Sequence, residues 1–238
     1  MTAIKHQTLA AVLGCQLWLI DLSQEPSQAD WLVCSKDEQD RASRFRFDRD
    51  ARRYRAAHAG MRQLLAAALQ QDAQSIAWQV GAHGKPHLMG HPGWHFNLSH
   101  SADWALLGLS NEAPIGVDLE WGKAPLSIDA IALQHFTAHE QASLAALPRP
   151  PDSNEPNRDR ADLFYQIWSR KEACLKAAGC GLSVEPNSFE VGVTSQAEDT
   201  LVTVDGQPWH MTVQSLCLPI QASAALALLR QQDHDQDD

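Results

Sequence analysis

Two stretches of this sequence run through the same order of elements: a short apolar strand, helices, then several strands. In the first, Cys15 to Ile20 (CQLWLI) reads as a strand, Asp37 to Ser43 as a short polar helix, and Asp48 to Leu69 as a long one. Along the long helix Ala51, Tyr54, His58, Met61, Leu65 and Ala68 recur at three- and four-residue steps, the stripe of an amphipathic helix. Ser75 to Val80, His95 to Leu98 and Trp104 to Leu109 follow as strands, with a turn at His100 to Asp103. After Pro114 the order restarts with a strand from Ile115 to Glu120, a helix from Ile128 to His135, and a helix opened by the T-x-x-E capping box of Thr137 and Glu140. A helix from Asp162 to Ala178, stopped by Gly179 and Gly181, precedes strands near Phe189 to Val193, Leu201 to Val204, His210 to Ser215 and Ala224 to Leu229. The echo is topological, without a residue-level repeat. It predicts an α+β fold of two lobes, 1–112 and 113–230, followed by an acidic tail at 231–238 that is expected to be disordered.

Composition removes several function classes. No apolar run approaches the roughly 20 residues that cross a bilayer, and Met1 to Gln7 lacks a basic region feeding an apolar one, so a cytoplasmic protein without membrane contact is expected. The five cysteines are odd in number and contain no C-x-x-C pair, which suggests buried thiols and neither disulfides nor a zinc knuckle. A formal net charge of −10 opposes general nucleic-acid binding. Yet between Arg41 and Arg62 stand eight arginines against only Asp48 and Asp50. Pro148 to Arg160 (PRPPDSNEPNRDR) reads as a surface loop.

Four patterns bear on chemistry. In Ile115-Gly116-Val117-Asp118-Leu119-Glu120 the strand alternation sets Asp118 and Glu120 on one face and Val117 and Leu119 on the other. Paired carboxylates repel unless protons or a cation relieve them, and hard oxygen donors favour Mg²⁺ or Ca²⁺; a solvent-facing edge is the alternative. In Phe164 to Lys176, Trp168, Glu172 and Lys176 are four apart and stack on one helical face, which is equally the pattern of a functionally silent Glu–Lys pair. Phe96-Asn97-Leu98-Ser99-His100-Ser101 runs from a strand into a turn whose Ser99, His100 and Ser101 suit a phosphate or merely a polar turn. It lacks the G-x-S-x-G elbow of a serine hydrolase. Gly84-Lys85-Pro86 constrains a lysine in a loop, a phosphate contact or a solvated side chain.

Together, and in this order, GKP, FNLSHS, IGVDLE and WSRKEACLK resemble the motifs of the surfactin-synthetase-type 4′-phosphopantetheinyl transferases. RFRFDRDARRYRAAHAGMR is similar to the arginine-bearing helix of that family, so the resemblance spans nearly the whole chain. It implies a pseudo-dimer of two similar α+β lobes with the active site between them, the second lobe carrying the metal motifs. It further implies a holo-[acyl-carrier-protein] synthase activity: transfer of the 4′-phosphopantetheine of coenzyme A to a serine of an apo acyl, polyketide or peptidyl carrier protein, releasing 3′,5′-ADP. By the same resemblance Asp118, Glu120 and Glu172 bind Mg²⁺. Ser99 and His100 contact coenzyme A phosphates, and Lys85 with Pro86 lines the pocket. Arg41 and Arg53 hold the nucleotide end with its 3′-phosphate, and Lys176 reaches the pyrophosphate. Where several members carry a lysine before Arg41 this sequence has Glu38, which weakens the expectation of that 3′-phosphate contact.

The chemistry of coenzyme A agrees, since a diphosphate wants a divalent cation and a monophosphate wants Arg or Lys. Glu172 is the candidate general base and Lys176 the candidate for added positive charge in the transition state. A monomer is expected, because two lobes folded on each other need no second chain. Two rival readings remain. His83, His87, His91 and His95 repeat at four-residue steps, as in a histidine-based metal-dependent hydrolase, but Gly84, Pro86, Gly90, Pro92 and Gly93 break any helix through them. The Arg41 to Arg62 stretch alternatively makes a nucleic-acid or acidic-partner module, which leaves the aligned carboxylates idle.

Overall fold

The computed structural model describes residues 4–81, 83–122, 127–148 and 158–230; the expected acidic tail at 231–238 and most of the expected loop at 148–160 lie outside the described residues. Two four-stranded antiparallel sheets form the body. The first orders its strands β1 (His6–Thr8), β2 (Gln16–Asp21), β6 (Trp104–Ser110) and β5 (His95–Ser101). The second orders them β7 (Ile115–Glu120), β10 (Ser223–Leu229), β9 (Gln207–Ser215) and β8 (Glu198–Val204). A small hairpin pairs β3 (Trp78–Val80) with β4 (Pro86–Leu88). Helices α1 (Gln28–Trp31), α2 (Lys36–Ala42) and α3 (Asp48–Leu69) belong to the first half of the chain. Helices α4 (Ile128–His135), α5 (Ala138–Ala145) and α6 (Arg158–Ala178) belong to the second.

Each sheet has one long helix on its outer face and the other sheet on its inner face, so strand alternation feeds two cores at once. In β2, Trp18 and Ile20 join Leu64 and Leu65 of α3, while Leu17 and Leu19 turn to the core between the sheets. In β10, Ala225 and Ala227 pack under α6 with Ile167 and Leu175, while Leu226 meets Val117 and Leu119 between the sheets. Both faces are therefore apolar, and each buried Leu, Ile or Val side chain contributes roughly 1.5–3 kcal/mol to folding. This is the two-lobed α+β fold, with the lobes joined through a shared apolar layer.

One strand of the second sheet departs from its apolar pattern. In β7 the inner face is Ile115, Val117 and Leu119, and the outer face is Gly116, Asp118 and Glu120, turned toward α6. Gly116 lets the helix come close: a Cβ there would stand 2.1 Å from the Ala173 carbonyl oxygen and 2.3 Å from the Ala177 nitrogen. Only glycine admits such a backbone approach.

Most expected elements appear with small shifts of boundary, including the Thr137–Glu140 capping box. Phe189 to Val193 does not form a strand. Its carbonyls serve side chains of α6 instead: Lys171 Nζ donates to Phe189 O at 2.7 Å and Arg170 Nε to Val191 O at 2.6 Å. Thr200 also donates to Glu190 O. Arg170 and Lys171 of the WSRKE stretch are thus buried anchors, Lys171 being also paired to the fully buried Glu140 at 2.9 Å.

Candidate active site

Between β5 and β7 the two sheets are joined by side chains in place of a backbone ladder. Val117 N donates to Asn97 Oδ1 at 2.9 Å, Leu119 N to Ser99 Oγ at 3.3 Å, and Trp121 N to Ser101 Oγ at 3.1 Å. The i, i+2 spacing of Asn97, Ser99 and Ser101 matches that of Val117, Leu119 and Trp121, so each polar side chain satisfies one N–H along the strand. The alternation then throws His100 to the opposite side, into a cavity of about 1180 Å³. Ser99, expected beside a phosphate, does not line that cavity; His100 does.

The acidic cluster sits where β7 meets α6. Lys176 Nζ lies 2.5 Å from Asp118 Oδ1 and 3.0 Å from Ser99 Oγ, and Ser99 Oγ donates to the same carboxylate oxygen at 3.1 Å. Asp118 is 3% exposed, and its second oxygen, Oδ2, is buried without a partner among the described residues. Glu120 accepts from Trp168 Nε1 at 3.2 Å and faces Ser101 Oγ at 3.5 Å. Burial, reinforced by the charge of Asp118, pushes Glu120 up to about 7. Burial also raises Glu172, with Lys176 opposing and Asp118 adding to the rise. Three mutually repelling carboxylates therefore share a half-buried site with a single ammonium, an excess of negative charge that calls for a further cation. Among the described residues no three His, Cys, Asp or Glu side chains are grouped closely enough to hold a metal ion, and Lys176 holds one oxygen of Asp118.

Helix α6 is held in register by Lys85. Its ammonium donates to the carbonyls of Lys176 (2.8 Å), Ala177 (2.5 Å) and Ile115 (3.1 Å), two of them otherwise open at the helix C-terminus. Gly179, at φ +68°, leaves room for the lysine stem: a Cβ there would lie 2.9 Å from Lys85 Cδ. Burial draws Lys85 down to about 7, yet three carbonyl acceptors match the three protons of an ammonium. Lys85 and Pro86 line the cavity as expected, but the lysine spends its donors on backbone.

The remaining wall comes from α2 and α3, with Arg41, Tyr54 and His58 lining the cavity. Arg53 does not line it; its Nε lies 2.9 Å from Asp103 Oδ1 and its Nη1 3.8 Å from Asp50. Glu38 is buried, accepting from Ser35 N, from His58 Nδ1 at 2.7 Å and from Arg62 Nε at 2.7 Å. Sequence reasoning missed the place of His58 on the cavity wall, the bond from Trp168 to Glu120 and the Asn97–Ser99–Ser101 ladder; the i, i+2 polar spacing was the available signal for the last. The four histidines at 83, 87, 91 and 95 fall on a turn, β4, a second turn and β5, so no helix aligns them.

Two family models cover this chain: the 4′-phosphopantetheinyl transferase superfamily over residues 114–229 and the 4′-phosphopantetheinyl transferase N-terminal domain over 23–112. The 4′-phosphopantetheinyl transferase psf-1 of Bacillus pumilus is 34% identical over 192 residues, covering 80% of this chain and 78% of that protein. This chain belongs to the 4′-phosphopantetheinyl transferase family. The transferase Sfp of Bacillus subtilis strain 168 is 33% identical over 170 residues, covering 71% of each chain. The L-aminoadipate-semialdehyde dehydrogenase-phosphopantetheinyl transferase of Xenopus laevis is 30% identical over 243 residues, covering 91% of this chain and 77% of that protein. In this transferase α6 supplies a carboxylate, Glu172, and an ammonium, Lys176, to the cavity wall, while Asp118 and Glu120 do not line it. Among the described residues no helix is long and apolar enough to cross a membrane.

Proposed function

We propose that this transferase takes the 4′-phosphopantetheine arm from coenzyme A and passes it to a serine of an apo carrier protein, leaving 3′,5′-ADP, with Mg²⁺ bound by Asp118, Glu120 and Glu172. The observation that carries the reading is the buried Oδ2 of Asp118, without a partner among the described residues and close to Glu120, Glu172 and Lys176, the last two of which line a cavity with further cationic groups on its wall. Hard oxygen donors and an unrelieved negative charge fit a hard divalent cation. Bound there, Mg²⁺ supplies charge neutralisation for the diphosphate.

The side chains then divide the work. The carrier serine hydroxyl attacks the β-phosphorus, the bond from that phosphorus to the bridging oxygen breaks, and 3′,5′-ADP departs with that oxygen. Glu172, whose pKa burial raises and which lines the cavity, accepts the serine proton. Lys176, tethered to Asp118 and Ser99, presents positive charge to the diphosphate oxygens as charge moves onto the leaving group. His100 stands on the cavity side of β5, where burial and the nearby Lys176 lower its pKa, and donates to a phosphate oxygen. The two lobes divide near residues 112 and 113, so the site draws on both. A monomer and a cytoplasmic setting complete the reading.

The test is incubation with coenzyme A, Mg²⁺ and a panel of apo carriers, read by intact mass. Gain of one phosphopantetheine, abolished by chelator and restored by Mg²⁺, is expected. No gain on any carrier, or gain undiminished by chelator, refutes the assignment.

A further inference from the structure

Glu38 stands where a cation would be expected to meet a nucleotide phosphate, and the structure shows what it does instead. Burial opposes its charge, but hydrogen bonds from His58 and Ser35, with Arg62 alongside, hold the carboxyl down at about 2. An ionised carboxylate only accepts, so the Nδ1 of His58 must carry the proton in their 2.7 Å contact. That leaves Nε2 of His58, which has no partner among the described residues, for the cavity that the residue lines; it donates to an anion when the ring is an imidazolium, with a proton on each nitrogen. Arg62 is spent elsewhere: it is buried, bonds Glu38, Ala73 O and Ile76 O, and lies 4.7 Å over the Trp78 ring.

The rings on this wall are packed against protein. Tyr54 stacks on His58 at 4.0 Å and 28°, meets Phe45 at 5.3 Å, and carries the Arg41 guanidinium at 5.8 Å. Trp78 is taken by Arg62 on its face and meets Phe96 at 5.9 Å. With ring faces so engaged, the wall offers polar edges and a cation to a ligand, which suits an anion better than a flat base. The diphosphate belongs to the Lys176 end, so the anion left over in coenzyme A is its phosphomonoester.

We propose that His58, positioned by Glu38, is the specificity-determining donor for the 3′-phosphate of coenzyme A, with Arg41 beside it. The inference rests on the function proposed above. A hydrogen bond to a charged group is worth about 1.5–3 kcal/mol, so the effect should be about tenfold or more.

The test compares kcat/KM for coenzyme A and for 3′-dephospho-coenzyme A in wild type, His58→Ala and His58→Gln, beside calorimetric binding of 3′,5′-ADP and 5′-AMP. His58→Ala is expected to cut the ratio of coenzyme A to dephospho-coenzyme A about tenfold, mainly through KM, and to erase the preference for 3′,5′-ADP. His58→Gln, whose amide nitrogen reaches toward the Nε2 position, should recover part of both. Equal losses on the two substrates, or a ratio within about twofold of wild type in His58→Ala, overturn the proposal. Should the wild type transfer neither substrate to any carrier, the functional reading fails by itself, and the nucleotide-binding comparison then decides the role of His58.

Discussion

Gly116 and Ala173 are so close that a single methyl cannot pass between them: a Cβ on the glycine would stand 2.1 Å from the alanine carbonyl oxygen. This contact sets the distance between the strand that carries Asp118 and Glu120 and the helix that carries Glu172 and Lys176. Overpacking of a rigid backbone contact costs typically 1–3 kcal/mol and occasionally more. Gly116→Ala should therefore lower the melting temperature and reduce transfer by moving α6 away from β7. Wild-type activity in a well-folded Gly116→Ala enzyme would show that the separation of the two elements does not matter to the chemistry.

Lys85 bonds three carbonyls across the two halves of the chain, so removing its ammonium leaves buried acceptors open. Each unsatisfied buried group costs about 1–3 kcal/mol. Lys85→Met, which keeps the stem, is expected to reduce stability by thermal denaturation and to lower kcat through a displaced α6. A loss confined to KM for coenzyme A, with unchanged stability, would assign the lysine to substrate instead.

Glu172→Gln preserves shape while removing the proposed proton acceptor, and Asp118→Ala removes the most buried carboxylate of the cluster. General-base catalysis contributes typically 10²–10⁴-fold. Glu172→Gln should lose about that factor in kcat with its circular dichroism intact, and Asp118→Ala should lose transfer as well. Either variant retaining full activity would rule out the metal and base assignments.

Acid stability should report on Glu38. Its carboxyl ionises at about 2 in the folded protein against an ordinary 4.5, so it binds protons more weakly folded than unfolded. The stabilisation is thus complete above about pH 4.5 and is lost as pH falls through about 2. It amounts to about 3 kcal/mol at neutral pH. Thermal denaturation of wild type and Glu38→Gln should show a constant gap above pH 4.5 that narrows below it; a gap independent of pH would place the effect of Glu38 outside its charge.

The amino-acid order alone settled whatever depends on periodicity. Alternation in Ile115 to Glu120 dictated that Asp118 and Glu120 share a face, and the four-residue steps of Trp168, Glu172 and Lys176 dictated that they share a stripe, because both follow from backbone geometry. The motif order carried the family. What tertiary structure decided was the destination of each polar side chain. Lys85 went to carbonyls of α6, Ser99 to β7 and Lys176, and Glu38 to His58 and Arg62. Phe189 to Val193, β-like in composition, became a set of acceptors for Arg170 and Lys171. The reason is the cost of burial: a donor or acceptor taken out of water must find a partner, and residues 15 to 91 positions apart supply it here only after the chain has folded.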